Sequence, residues 1–214
     1  MIKSAKKILQ KILMKFNFYS LYQLHKDSHL KKMGWFESFK NQLSINDKFE
    51  PIPWWSYSAT YFIEKKLTRD MVAFEYGCGA STIWLSKYIK KIISVEHDQA
   101  WYEQIRKKLP ANVSLVYKSL EDGYPSEIIK HHYKFDLISI DGRMRNECVL
   151  HALSCLTDGG VIIWDNAERD DYIDGYDHLT KNGFKRLDFY SMGPINTYSW
   201  MTSIFYRTNN CFNI

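Results

Sequence analysis

Four short apolar runs constrain this chain more than any other feature: Met71–Tyr76, Lys91–Val95, Phe135–Ile140 and Val161–Trp164. None alternates in polarity, so each reads as a strand buried on both faces. Each stops at a glycine or an acid, at Gly77, Glu96-His97-Asp98, Asp141-Gly142 and Asp165-Asn166. Stretches with helical spacing follow, at 82–89, 99–109, 146–156 and 170–181. This alternation is the pattern of βαβ units and of a mostly parallel sheet. Val113–Tyr117 adds a strand, and Phe184–Tyr190 and Ser199–Tyr206 have only a loop between them, so they should pair antiparallel.

The length of 214 residues allows one compact domain with a short extension. The division expected is a basic helical extension over 1–50 and a catalytic domain over 51–214. Residues 1–40 hold nine lysines against Asp27 and Glu37, a net charge of +7; the remainder holds 20 Lys and Arg against 22 acids, a net charge of −2. A body that is not basic argues against a nucleic-acid-binding face. Residues 2–17 read as an amphipathic helix with an Ile/Leu stripe among lysines. Such a helix either lies on an anionic membrane surface or packs on the body or on a second subunit. Residues 29–43 and Trp54 to about Leu67 also read as helices. Cys78, Cys148, Cys155 and Cys211 have no zinc or CxxC spacing, and no secretory signal or spanning segment is read. A cytoplasmic protein is expected, at the inner face of the membrane if the first helix binds lipid.

In an open parallel sheet the ligand crevice lies beyond the C-terminal strand ends. The notable polar residues of this chain fall there: Glu75, Glu96, Ser119, Asp141, Asp165 and Asn166. Gly77 and Gly79 let the backbone turn tightly and approach a ligand. A dinucleotide site would want a third glycine where Thr82 stands, and Glu75 would repel a pyrophosphate. Glu75 instead suits a cationic ligand, and Glu96, 21 residues on, suits ribose hydroxyls.

The stretch Glu75-Tyr76-Gly77-Cys78-Gly79-Ala80-Ser81-Thr82, with Ser94–Asp98, resembles the class I S-adenosylmethionine-dependent methyltransferases. The resemblance spans about Trp54 to Arg207. It implies a Rossmann-like sheet of seven strands, mostly parallel with the last antiparallel, with helices on both faces. It sets Glu75, Tyr76, Gly77, Cys78, Gly79, Ser81 and Thr82 along the methionine part of the cofactor. Glu96 and His97 go to the ribose, Ser119 and Leu120 beside the adenine, and Asp141 near the cofactor's amino end.

Asp141 with Asp165-Asn166 looks like the Mg²⁺-binding trio of the catechol and caffeoyl-CoA type O-methyltransferases. That family has a lysine where this chain has Met144, flanked by Arg143 and Arg145. The competing reading makes Asp141 a general base or a contact to the cofactor's amino group, with Asp165-Asn166 hydrogen-bonding the acceptor and Arg143 orienting it; a third reading leaves these residues as caps of the following helices. The segment Met33–Phe39 followed by Pro51–Trp54 is similar to small bacterial methyltransferases associated with surface-glycan gene sets. It implies an acceptor bounded by Trp54, Trp55, Tyr57, Arg145 and Asn196. The expectation is O-methylation of a small hydroxylated or sugar-like acceptor. The rival readings are a nicotinamide-dependent oxidoreductase and a non-catalytic cofactor-binding protein recruited to a membrane.

Overall fold

The computed structural model describes Met14, Lys15 and residues 17–214. The expected helix over 2–17 therefore lies almost wholly outside the described residues. The seven strands are β1 (Val72–Tyr76), β2 (Lys91–Glu96), β3 (Val113–Tyr117), β4 (Phe135–Ile140), β5 (Leu156–Asp165), β6 (Lys185–Met192) and β7 (Ser199–Tyr206). They form one sheet in the order β3-β2-β1-β4-β5-β7-β6. β1 to β5 run parallel, and β7 enters antiparallel between β5 and β6. This is the expected doubly wound class with its antiparallel last strand.

The apolar runs are buried because helices cover both sheet faces. Tyr57–Glu64 (α4) and Ala80–Ser86 (α5) share one core cluster with Ala73, Ile92, Leu137, Val161, Ile163 and Ile204. Arg145–Cys155 (α7) and Ile173–Lys181 (α8) pack on the opposite face with Phe74, Val95, Ile138, Ile162 and Phe205. Alternate residues of one strand thus serve two cores, which removes any period-two signal. Gln99–Ile105 (α6) follows β2.

Two stretches differ from the sequence expectation. A 3-10 segment, Tyr124–His131, precedes β4 and buries Tyr124 and Ile128 completely. Its two apolar anchors stand at i,i+4 spacing, but the segment is short and its intervening residues are mostly polar, so too few apolar positions mark a helix. The helix expected over 29–43 is broken into His29–Lys32 (α2) and Trp35–Asn41 (α3), after Phe18–Lys26 (α1). Gly34 makes the break at φ 79°, and the backbone of Asn46 crosses so close that a Cβ on Gly34 would lie 2.2 Å from its carbonyl carbon.

This crossing folds the extension back on the body. Trp35 Nε1 donates to the carbonyl of Asn196 (2.8 Å), and the Ile195 amide donates to Ser38 Oγ (3.1 Å). Ile45 and Pro51 close the intervening loop with an isolated antiparallel bridge. Gly34→Ala meets both a left-handed backbone and a backbone clash, and should cost roughly 2 kcal/mol, read as a lowered denaturation midpoint.

Candidate functional site

The turn after β1 is built around one buried carboxylate. Glu75, 1% exposed, accepts from Ser81 Oγ (2.5 Å) at Oε1. Its Oε2 accepts from Thr82 Oγ1 and from Ser94 Oγ (3.0 Å). Thr82 Oγ1 in turn accepts the amide of Gly79 (3.0 Å). Glu75 therefore ties β1, β2 and the first turn of α5 together. Burial pushes its pKa up to about 7, against the pull of the three hydroxyl donors. Gly77 holds φ 90°, while a Cβ on Gly79 would touch no protein atom. Glycine at 79 thus leaves open space beside the turn, as a cofactor would require.

Glu96, at the end of β2, accepts from the amides of His97 and Asp98 (both 2.8 Å) at Oε1 and of Cys78 (3.2 Å) at Oε2. One lone pair on Oε2 is left to accept a ligand hydroxyl. Burial raises the Cys78 thiol pKa far above the usual range, which keeps the thiol protonated.

A cavity of about 670 Å³ opens on these groups, bounded by Glu75, Gly77, Cys78, Gly79, Ser81, Glu96, His97, Asp141, Arg143, Arg145 and Asn166. A second cavity of about 320 Å³ is lined by Trp54, Asp165, Glu168, Asn196, Tyr198 and Trp200. Trp54, Asp141, Asn166 and Arg169 border both. The two spaces meet at the ends of β4 and β5.

Several expected residues stand elsewhere. Tyr76 and Thr82 border neither cavity: the Tyr76 hydroxyl donates into the core to Pro125 O (2.6 Å), and Thr82 serves the turn through Glu75. Ser119 and Leu120 also border neither, Ser119 Oγ being spent on Asp122 Oδ2 (2.7 Å). Trp55 and Tyr57 are buried in the core cluster, with Trp55 edge-on to Trp84. The apolar surface of Trp55-Ser56-Tyr57 is consumed by packing, and only Trp54 reaches the cavities.

Other lining residues were absent from the sequence reading. Trp101, Ile105 and Lys108 border the larger cavity where Ser119 and Leu120 were expected. Trp101 is fixed by its indole N–H on Cys78 O (2.6 Å). Gln42, Leu43, Ser44, Ile45 and Pro51 border the same cavity, so the extension supplies part of its wall. Only Arg169, four residues beyond Asp165 at a strand end, carried a local signal.

The residues of the expected metal trio do not fit a divalent ion. Arg145, 7% exposed, is turned inward rather than presented to an acceptor. Its Nη2 donates to Asp141 Oδ1 (3.0 Å) and Asn166 Oδ1 (3.3 Å), its Nη1 to the Asp165 carbonyl, and its Nε to the Gly142 carbonyl (3.0 Å). Asp165 Oδ1 accepts from Trp200 Nε1 (3.0 Å) and Thr202 Oγ1 (2.6 Å) on β7. Among the described residues no group of three or more His, Cys, Asp or Glu side chains is placed to hold a metal ion. Met144 and Asn166 hold left-handed backbone (φ 51° and 52°), which aims the two turns at each other. Burial raises the pKa of both Asp141 and Asp165; Arg145 opposes this at Asp141, while the neighbouring charge of Asp141 adds to it at Asp165.

Residues 74–167 match a family described as a methyltransferase domain. No curated protein matches the chain. Several solved structures share the fold, among them the following three. One is a precorrin-6y C5,15-methyltransferase from Geobacter metallireducens (18% identity, 70% of this chain and 87% of that chain, TM-score 0.55). Another is a precorrin 8w decarboxylase from Methanobacterium thermoautotrophicum (16%, 78% and 97%, 0.53). The third is a methyltransferase-like protein from Silicibacter pomeroyi (18%, 74% and 89%, 0.53).

The raised Glu75 pKa fixes a sign. A folded-state pKa of about 7 against 4.5 unfolded means that the unliganded protein loses stability as pH climbs through that window. Glu75→Gln lacks this slope. Its Tm relative to wild type should rise from about pH 5.5 to about pH 8 by a few degrees, the equivalent of roughly 1 kcal/mol or more.

Proposed function

We propose that this chain, an S-adenosylmethionine-dependent methyltransferase, methylates an oxygen of a small hydroxylated, sugar-like acceptor such as a glycan precursor. The observation that carries the reading is the meeting of the two cavities at Asp141 and Asn166. The larger cavity takes the cofactor, with Gly77, Cys78, Gly79 and Ser81 along its methionine part and Glu96 and His97 at the ribose. Trp101 is the flat wall nearest those groups and is assigned to the base.

The smaller cavity takes the acceptor. Trp54, Tyr198 and Trp200 offer aromatic surface, while Asp165, Asn166, Glu168, Arg169 and Asn196 supply polar edges. Aromatic faces with hydrogen-bonding rims suit a sugar ring, whose two faces are apolar and whose edge is hydroxylated. When bound, the cofactor supplies an electrophilic methyl group on a sulfonium. The contribution of the chain is alignment at the cavity junction. Asp141 is oriented by Arg145 and lies where an acceptor hydroxyl would surrender its proton, so it is assigned as the general base. Asn166 holds the same hydroxyl, and Arg143 and Arg169, exposed at the rim, orient the rest of the acceptor.

The extension is assigned two parts. Residues 33–51 belong functionally with the catalytic domain, because they wall the cofactor cavity. Residues 18–26 are assigned as a contact surface: Phe18, Leu21, Tyr22 and Leu24 are all exposed, with His25 and Lys26 at the end of the helix. An anionic membrane is the surface that matches this charge, and no helix among the described residues is long and apolar enough to cross one.

Three measurements test these assignments. S-adenosylhomocysteine, but not NAD, should bind in calorimetry; binding of NAD alone sinks the cofactor assignment. Asp141→Asn should lower turnover by roughly a hundredfold or more with S-adenosylhomocysteine affinity little changed; a wild-type rate rejects Asp141 as the base. Co-sedimentation with phosphatidylglycerol vesicles should be lost on deleting residues 1–26. Equal sedimentation, or a change of oligomeric state instead, assigns the surface to protein contact.

A further inference from the structure

The side chain that displaces the expected metal is itself a cation. Arg145 is 7% exposed and stands at the first position of α7, where the left-handed Met144 turns the chain inward. Each of its three guanidinium nitrogens donates to a protein oxygen: Asp141 Oδ1 and Asn166 Oδ1 from Nη2, the Asp165 carbonyl from Nη1 and the Gly142 carbonyl from Nε. The ring of Tyr172 lies 5.2 Å from the guanidinium carbon. Those oxygens comprise a carboxylate, a side-chain amide and main-chain carbonyls, the hard donors that a divalent cation prefers. A guanidinium is permanently charged and planar, and it satisfies several such oxygens at once.

We infer that Arg145 is the built-in cation of the transfer site: it occupies the place among Asp141, Asn166 and the Asp165 carbonyl that a divalent ion would otherwise take, and it positions Asp141 and Asn166 for the acceptor. A metal on Asp141 Oδ1 would sit against the guanidinium and meet direct charge repulsion. The inference rests on the proposed transfer at Asp141 and Asn166 for its functional half only. Its first half concerns the cation site and holds whatever the chain methylates. One chemical consequence follows for the acceptor class. A guanidinium does not chelate two hydroxyls as a metal ion does, so the site has no need of a vicinal diol and accepts a single hydroxyl.

The test counts Mn²⁺ bound to the full-length protein by electron paramagnetic resonance of the free ion, which needs neither acceptor nor turnover. Wild type should show no saturable site at millimolar Mn²⁺. Arg145→Ala should gain one site per chain, and adding Asp141→Asn should remove it. Arg145→Gln, closer in length to arginine, repeats the measurement, and circular dichroism with a cooperative thermal transition reports that each variant is folded. Saturable Mn²⁺ binding by wild type that Asp141→Asn abolishes would overturn the inference. So would folded Arg145→Ala and Arg145→Gln variants that both remain without a site. For the functional half, turnover should be unchanged by chelator, whereas inhibition reversed by Mg²⁺ overturns it. A chain with no turnover on any hydroxyl acceptor but the expected Mn²⁺ behaviour would strike the proposed function and leave the cation assignment standing.

Discussion

β4 and β5 are adjacent parallel strands, each followed or closed by an aspartate, and the guanidinium of Arg145 bridges the two ends. Burial disfavours the charged form of both Asp141 and Asp165, and each carboxylate disfavours ionisation of the other. Arg145 bonds the first through its side chain and the second through its main chain, so one cation serves both strand ends. Asp165 receives further support from Trp200 and Thr202. Breaking such a buried network from one side leaves charge uncompensated, and this ties the geometry of the site to the integrity of the fold.

The turn after β1 follows the same logic with hydroxyls in place of a cation. Glu75 is satisfied by Ser81, Thr82 and Ser94, so its carboxylate shapes the loop before it meets any ligand. Glu96 works on backbone amides at the next strand end. Two buried acids thus hold a glycine-rich loop open without a glycine at its third position. The loop is rigid because its polar partners are internal, and it is open because Gly79 has nothing above it.

Much of this was legible in the order of residues. Mostly apolar runs ending in acids or glycines located β1, β2, β4 and β5, since burial on both faces erases alternation. The same strand ends collected Glu75, Glu96, Asp141, Asp165 and Asn166. What escaped was set by contacts between distant segments. Nothing local to Gln42–Ile45 says that they wall a cavity; that follows from Gly34 letting Asn46 cross it and from Trp35 gripping Asn196. Trp55 and Trp54 are equivalent by composition, yet one is wholly buried and the other lines both cavities. Arg145 and Arg143 flank the same Met144, yet one is buried and the other exposed, a difference no local sequence signal carries. The Tyr124–His131 segment was missed because two apolar anchors, Tyr124 and Ile128, are too few to mark a helical face among polar neighbours.

β7 is among the last residues of the chain, yet it lies between β5 and β6 rather than at the sheet edge. It supplies the donors that hold Asp165, and its Met201 pairs with Ala167 and Glu168 in the turn that carries Asn166 and Arg169. During synthesis the first five strands can assemble as βαβ units while residues 199–206 are still within the ribosome. Asp165 then lacks its anchors, and Ile162–Asp165 present an unpaired edge. The anchoring of Asp165 and the protection of that edge therefore depend on the same strand, so a chain whose β7 is not yet docked is prone to pair with its neighbours.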